Sequence, residues 1–204
     1  MKTGGKLAIG CGILAGLVVI FALILVVVGL TSYNKFVTLD ENVNQTWAQV
    51  QNVYQRRYDL IPNLVETVKG YATHERETFQ AVTEARSKAG GTINLQAEDL
   101  TAQNLARFQQ AQSGLGGALS RLLVVLERYP DLKANQNFLQ LQTQLEGTEN
   151  RIAVERRRFN EAVQAYNQAI RRFPAVLIAG ILGFNQKPYF EAETQAQEAP
   201  KVEF

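Results

Sequence analysis

The stretch VNQTWAQVQNVYQRRYDLIPNLVETV, residues 43–68, decides the fold of this 204-residue chain. Its apolar residues recur every three or four positions, the spacing that places them on one side of an α-helix. The same spacing continues as far as Val82. We therefore expect one helix over about 40–88, with the polar pair His74-Glu75 interrupting its apolar stripe and Gly90-Gly91 ending it.

Pro62 lies inside this predicted helix, and its nitrogen has no hydrogen to donate to the carbonyl of Tyr58. The helix therefore either kinks at Pro62 or restarts with Pro62 in its first turn, and we favour the kink. Asp59 stands one turn from Arg56, so we expect a structural ion pair beside the kink rather than an active site.

Two more striped segments follow, over about 98–129 and 135–173, and the same stop ends both. Arg128-Tyr129-Pro130 and Arg172-Phe173-Pro174 each place a cation at the carboxyl end of a helix, then an aromatic residue, then a residue that cannot continue the helix. Long striped helices joined by short turns fold most simply into an antiparallel bundle. The apolar segment 175–184 is too short to span a bilayer, and we expect it to cover one end of the bundle.

The run LAIGCGILAGLVVIFALILVVVGL, residues 7–30, contains no charged residue. As a helix it measures roughly 36 Å, enough to cross a hydrocarbon core of about 30 Å, and predicts a single-pass transmembrane helix. A cleaved signal peptide would have a shorter apolar core and a small-x-small site, which residues 30–33 do not offer. Lys2 and Lys6 favour a cytoplasmic N-terminus, with the bundle outside the cytoplasm.

Small residues recur every fourth position at Gly4, Ala8, Gly12 and Gly16. A stripe of small residues lets two helices approach closely in a bilayer, so the pattern predicts self-association through Gly12 and Gly16. Gly and Ala are also frequent in transmembrane helices generally, and this explanation has equal weight.

The patterns together predict an all-α protein, with an N-terminal transmembrane helix followed by an antiparallel bundle of three to four long helices. The expected divisions are a short tail at residues 1–6, the membrane helix at 7–30, the bundle at 31–184 and a polar C-terminal tail at 185–204. Within that tail, Val202 and Phe204 precede the free carboxylate, a form that can add to a sheet edge in a partner protein. The alternative, which we prefer, is that Phe204 folds back onto the bundle.

Composition excludes several kinds of chemistry. One His and one Cys leave no basis for a His/Cys metal site, an internal disulfide or a Cys-His catalytic pair, and His74 has no second His one turn away. Nucleophile and phosphate-binding motifs are absent from the sequence, and a net charge of +2 gives no reason to expect nucleic acid. We expect no catalytic residues, no cofactor, no metal and no nucleic-acid partner.

The carboxylates of the third helix lie among arginines, which favours a solvated face over catalysis. Arg151 with Glu155, and Arg157 with Glu161, are four residues apart and predict weak surface ion pairs.

Two stretches are distinctive enough to suggest a family. RRYDLIPNLV at residues 56–65 and YPDLKANQNFLQLQ at 129–142, together with FNQKPYFEAE and the ending PKVEF, resemble the bacterial LemA family over nearly the whole chain. The resemblance implies a single-pass membrane protein with a helical-bundle domain in the cell envelope. It implies no catalytic residues. It also implies a membrane-associated partner of the TPM-domain type, since genes for such proteins often lie beside those of the family.

Three functions follow as hypotheses. The first is a membrane-anchored helical scaffold or interaction protein, self-associating and without catalytic activity, because an anchor confines the bundle to two dimensions and favours weak contacts. The second is a regulatory adaptor or sensor that couples an envelope signal to a membrane protease or transporter. A hydrolase that uses the scattered carboxylates is the third and the least favoured.

Overall fold

The computed structural model describes the backbone of residues 3–72 and 74–191, and the side chains of residues 16–20, 23, 26–72 and 74–191. Within these ranges the chain is all-α and contains no strand, in agreement with the predicted fold class. The helices are α1 (Thr3–Lys69), α2 (Arg76–Ile93), α3 (Ala102–Leu126), α4 (Pro130–Lys133), α5 (Gln136–Arg171) and α6 (Val176–Ala179), with a 3₁₀ turn at Ala97–Asp99.

The prediction of one continuous helix over about 40–88 is wrong, because α1 ends at Lys69 and α2 begins at Arg76. Gly70 follows the last residue of α1, and glycine is among the poorest helix formers. His74 and Glu75, which follow a few residues later, are polar and do not continue the apolar stripe, so the chain can turn there. Ala72 is fully buried in the turn and its N–H donates to the carbonyl of Val68.

Gly90-Gly91 do not end a helix, which corrects a second prediction, since both lie inside α2. A Cβ added at Gly90 would lie only 2.8 Å from Cε2 of Tyr58, whereas one at Gly91 would meet nothing within 4 Å. Gly90 is therefore required by close packing of α2 against α1. The carbonyls near the end of α2 are bonded instead by α1, because Gln51 donates to Ile93 at 2.6 Å and Trp47 Nε1 donates to Leu95 at 2.8 Å.

The second and third predicted helices are confirmed with shorter bounds, as α3 and α5. Thr101 caps α3 by accepting a hydrogen bond from the N–H of Asn104 at 3.1 Å, and Asn135 does the same for Phe138 at the start of α5. Pro130, expected to stop the second helix, is the first residue of α4, where a missing N–H costs nothing.

The described residues divide into two compact units. The first unit comprises residues 3–42 and 164–186, and the second comprises 43–163 and 187–191. In the second unit, one apolar core is shared by α1 to α5. Its members are Leu60, Ile61, Leu64, Val65, Val68, Ala72, Phe79, Val82, Ala89, Leu115, Leu119, Leu122, Leu126, Leu132, Phe138 and Leu145.

Within the second unit α1 and α5 are antiparallel. Trp47 packs on Phe159 with ring centroids 5.5 Å apart, and ten residues further along α1 Arg57 contacts Glu149, ten residues earlier on α5. The residue numbers rise on one helix as they fall on the other, which gives the pair a fixed register.

The first unit is built from α1, the end of α5 and the chain that follows it. Phe36, Tyr166 and Ile170 are buried in it. Phe184 packs edge-on against Tyr33 and Phe36, with ring centroids 5.9 and 5.2 Å apart.

Within the residues that the structure describes, no helix is both long enough and apolar enough to cross a membrane. Of the predicted span at 7–30, residues 7–15, 21, 22, 24 and 25 lie outside those described side chains.

Candidate functional site

The most heavily buried charged group described is the guanidinium of Arg57, which is 4% exposed inside the second unit. Its Nη1 donates to Glu149 Oε1 at 2.9 Å, and its Nη2 donates to the backbone oxygen and the Oε1 of Gln112 at 3.2 and 2.5 Å. The guanidinium also lies over the ring of Tyr54, 5.0 Å from its centroid. These contacts connect α1, α3 and α5 through one side chain.

Position 57 occupies a gap in the apolar stripe of α1. Tyr54 and Ile61 are both buried and seven residues apart, so Arg57 faces the same interior as they do. A buried cation needs its hydrogen bonds satisfied, and Gln112, 4% exposed, is the interior acceptor while Glu149 is half exposed. Arg57 Nε makes no hydrogen bond within the described part of the chain.

A second cluster forms around Pro62. Proline leaves the carbonyl of Tyr58 without its helical donor, and Arg86 of α2 supplies one, with Nε 3.2 Å from that oxygen. The guanidinium of Arg86 also stacks on the Tyr58 ring, 3.7 Å from its centroid, and Gly90 lies against the other parts of that ring. The interruption in α1 is therefore repaired by its neighbour α2.

A third set of contacts holds residues 187–191, which we call the docked segment. Asn160 donates to the carbonyl of Phe190 at 3.0 Å and accepts from its N–H at 2.8 Å. The Phe190 ring contacts Trp47, Phe108 and Phe159. The carbonyl of Glu191 accepts hydrogen bonds from two helices, α3 and α5, through Gln109 and Arg156. The docked segment is thus an integral part of the second unit.

In the first unit, burial raises the pKa of the Tyr166 hydroxyl to about 12, and the charge of Asp40 adds to that rise. Tyr166 is only 2% exposed, so the neutral phenol is the form that the folded unit accommodates.

Apolar side chains after α5 remain exposed. Ala179 is buried and Phe184 packs on α1, but four of the larger side chains of the predicted cover, residues 175–184, are exposed. The exposed ones are Val176, Leu177, Ile181 and Leu182, and Phe173 just before them is 81% exposed.

The predicted site residues fare differently. Asp59 is exposed and accepts a hydrogen bond from Gln55, and the ion pair of Asp59 with Arg56 stays a prediction. The buried ion pair of this segment is the one that Arg57 forms with Glu149. Pro62 lies within the continuous α1, and the kink there stays a prediction.

The other predicted contact residues are described only in part. Gly16 has nothing within 4 Å of an added Cβ. Only the backbone of Gly12 is described. Val202 and Phe204 lie outside the described residues. Helix packing through the glycines and docking through the tail therefore stay predictions.

Among the described residues, no three His, Cys, Asp or Glu side chains form a group that could hold a metal ion, and His74 is exposed. Arg157 lies 3.8 Å from Glu161 as predicted, whereas Glu155 pairs with Arg158 at 2.8 Å rather than with Arg151. Both pairs belong to a helix surface, where such contacts contribute little to stability.

The fold and these contacts define an all-α helical-bundle protein, in which the buried Arg57 and Gln112 join α1, α3 and α5. Comparison with known sequences then identifies the family. The LemA family profile matches residues 46–204, and the chain belongs to the LemA family.

Curated relatives are similar over most of the chain. Magnetosome protein MamQ of Magnetospirillum gryphiswaldense and MamQ 1 of Paramagnetospirillum magneticum are each 30% identical over 189 residues, covering 85% of this chain and 69% of the relative. Protein LemA of Metamycoplasma hominis is 24% identical over 159 residues, covering 78% of this chain and 68% of the relative.

Proposed function

We propose that this chain is a membrane-anchored helical scaffold that acts by contact and not by catalysis. The observation that carries the proposal is the exposure of large apolar side chains along α1 within the uncharged run 7–30. Those described there are 56% to 62% exposed: Leu17, Val18, Val19, Ile20, Leu23, Val26, Val27 and Leu30.

Such exposure is unfavourable in water. Each large aliphatic side chain forgoes about 1.5–3 kcal/mol when it is left in water instead of being buried. Contiguous exposed apolar surface of this kind marks an interaction or membrane site on a folded protein. A bilayer removes the cost, and a helix satisfies all its backbone hydrogen bonds there.

Membrane extraction tests the anchor. The full chain should stay in the membrane pellet after alkaline carbonate treatment, whereas Val19→Lys with Val26→Lys should move it toward the supernatant. Val124→Lys is the matched control, since Val124 is also an exposed apolar residue, on α3, at 69% exposure. Release of the unsubstituted chain by carbonate would refute the anchor.

We propose further that Gly12 and Gly16 form a self-association face in the bilayer. Gly12→Leu with Gly16→Leu should shift the chain to a smaller species in mild detergent. Gly29→Leu is the control, because Gly29 belongs to the same run but lies roughly 220° around the helix from Gly16. An unchanged mass for the double variant would contradict this part of the proposal.

The proposed orientation has the N-terminus in the cytoplasm and the bundle outside it. Glu198→Cys in a Cys11→Ser chain should react with an impermeant maleimide in intact cells. Labelling only after the cells are opened would reverse the orientation.

The proposed partners are a second copy of the chain and a membrane-associated protein. The magnetosome proteins among its relatives support a part in an assembled cellular structure. Extraction in mild detergent, followed by mass measurement and identification of co-eluting chains, distinguishes the scaffold from the alternative function, a regulatory adaptor. A homo-oligomer supports the scaffold, and a co-eluting protease or transporter whose activity changes on deletion supports the adaptor.

A further inference from the structure

The exposed apolar surface formed by residues 173–182 belongs to the first unit. Phe173 and Ile181 are 81% and 86% exposed, among the most exposed large apolar side chains that the structure describes. The only helix in this surface is the short α6, so the apolar side chains lie on a compact loop that the packing of the unit holds in place.

Residues that precede and follow this surface in the chain interact with α1, and these interactions show where along α1 the surface lies. Before it, Tyr166 lies close enough to Asp40 for the charge of Asp40 to influence the pKa of its hydroxyl. After it, Phe184 packs on Tyr33 and Phe36. Tyr33 lies about 4.5 Å along the helix axis beyond Leu30, the last residue of the uncharged run. The 173–182 surface is therefore held beside the end of that run.

The charges around the surface have one sign. Arg171 and Arg172 are exposed and directly precede it in the chain, and Lys35 is exposed on α1 between Tyr33 and Phe36, the two residues that contact Phe184. The described acidic residues of the first unit are Asp40 and Glu41, further from the run. Cations beside exposed apolar side chains match the surface of an anionic bilayer, where phosphates lie just outside the acyl chains.

We propose that the 173–182 surface inserts into the headgroup and upper acyl region of an anionic bilayer, beside the membrane anchor. The proposal rests on the proposed function, because it needs the run 7–30 to be in the membrane. The segment is too short to cross the bilayer, so it lies in the interface and fixes the first unit against it. Lys35, Arg171 and Arg172 face the lipid phosphates.

Depth-dependent quenching tests the proposal on the full chain. With Cys11→Ser as background, the substitutions Val19→Cys, Leu177→Cys, Ile181→Cys and Val124→Cys each carry an environment-sensitive fluorophore. The chains are placed in two kinds of nanodisc. One contains anionic phosphatidylglycerol, and the other contains only neutral phosphatidylcholine. The acyl chains are brominated either near the carbonyl or near the methyl end.

The expected pattern assigns a different result to each position. The labels at 177 and 181 should be quenched most by bromine near the carbonyl end, the label at 19 by bromine near the methyl end, and the label at 124 by neither. Arg171→Gln with Arg172→Gln should reduce quenching at 181 in anionic nanodiscs toward its value in neutral ones. Arg121→Gln, on an exposed position of α3, should leave it unchanged.

The outcomes separate this proposal from the proposed function. Quenching at 19 without quenching at 177 and 181 overturns the interfacial surface and leaves the anchor intact. Lack of quenching at 19 overturns the anchor and this proposal with it. A blue-shifted but unquenched label at 181 would show that protein and not lipid covers the surface, and would overturn the proposal.

Discussion

Replacing Arg86 by Leu should destabilise the second unit in a way that depends on Pro62. The structure gives Arg86 two roles, because its Nε bonds the carbonyl of Tyr58 at 3.2 Å and its guanidinium stacks on the Tyr58 ring at 3.7 Å. Only the first role exists because of Pro62. The carbonyl would otherwise accept a hydrogen bond from the N–H of residue 62.

The magnitude follows from those two contacts. A hydrogen bond from a charged donor contributes about 1.5 kcal/mol at the lower end of its range, and this one is only partly buried. The stacking contributes about 0.5–1 kcal/mol. Arg86→Leu should therefore cost about 2 kcal/mol in the native chain. In a Pro62→Ala chain the carbonyl regains its helical donor, and the same substitution should cost about 1 kcal/mol or less.

A double-mutant cycle measures the coupling. The four chains are unfolded by denaturant in mild detergent while the fluorescence of Trp47 is followed, since Trp47 is the single tryptophan and lies buried in this unit. A coupling of about 1 kcal/mol is expected between positions 86 and 62. Arg121→Leu, on an exposed position of α3, should show no coupling to Pro62.

Equal costs of Arg86→Leu in the two backgrounds would refute the reasoning. That result would mean that the carbonyl of Tyr58 gains nothing from Arg86, and that stacking alone accounts for the effect of the substitution.

Three more predictions concern Arg57, the glycine pair of α2 and Tyr166. Arg57→Ala should cost about 3 kcal/mol in the same unfolding assay, whereas Arg57→Met with Gln112→Leu should cost less than about 1 kcal/mol, because both partners are then apolar. Gly90→Ala should destabilise by about 1 kcal/mol or more by displacing the ring it touches, and Gly91→Ala, with open space around it, should stabilise by up to about 1 kcal/mol. The pKa of Tyr166 is about 12 in the folded chain against an ordinary 10.0, so the unfolded chain binds fewer protons between those values and stability should fall as pH rises from 10 to about 12. Tyr166→Phe should flatten that fall in denaturation curves recorded across the range.

Periodicity predicted the helices well where apolar residues are buried on one side. The beginning and end of α5 lie within two residues of the predicted bounds, 135–173, because its apolar residues are buried at helical spacing along its length. The turn between α1 and α2 was missed because a stripe that resumes at the same spacing looks continuous. Glycine misled in the same way, since Gly90-Gly91 look like a helix end when close packing of two helices is not visible.

The sequence and the structure draw attention to the same segment but to different residues in it. The sequence pointed to RRYDLIPNLV, where Arg56 and Asp59 satisfy the local spacing rule for an ion pair. Arg57 instead occupies a position of the apolar stripe between Tyr54 and Ile61. An arginine at a stripe position is the sequence feature that indicates a buried cation. Its partners Gln112 and Glu149 are 55 and 92 residues away, and periodicity within one helix carries no information on such pairs.

Burying Arg57 is unfavourable by itself, and its value to the second unit lies in register. Two long apolar stripes displaced by one turn can still bury a similar apolar area, because hydrophobic burial is non-directional. A buried cation with fixed hydrogen-bond partners cannot be displaced in this way without losing those partners. Arg57 reaches Gln112 and Glu149 together in one arrangement of α1, α3 and α5, and a shift of one turn, about 5.4 Å, would leave it buried without acceptors. A single polar group in an apolar seam sets register in this way in coiled coils. We infer that Arg57 contributes to fixing the register of α1, α3 and α5 within the second unit, together with the aromatic contact of Trp47 with Phe159.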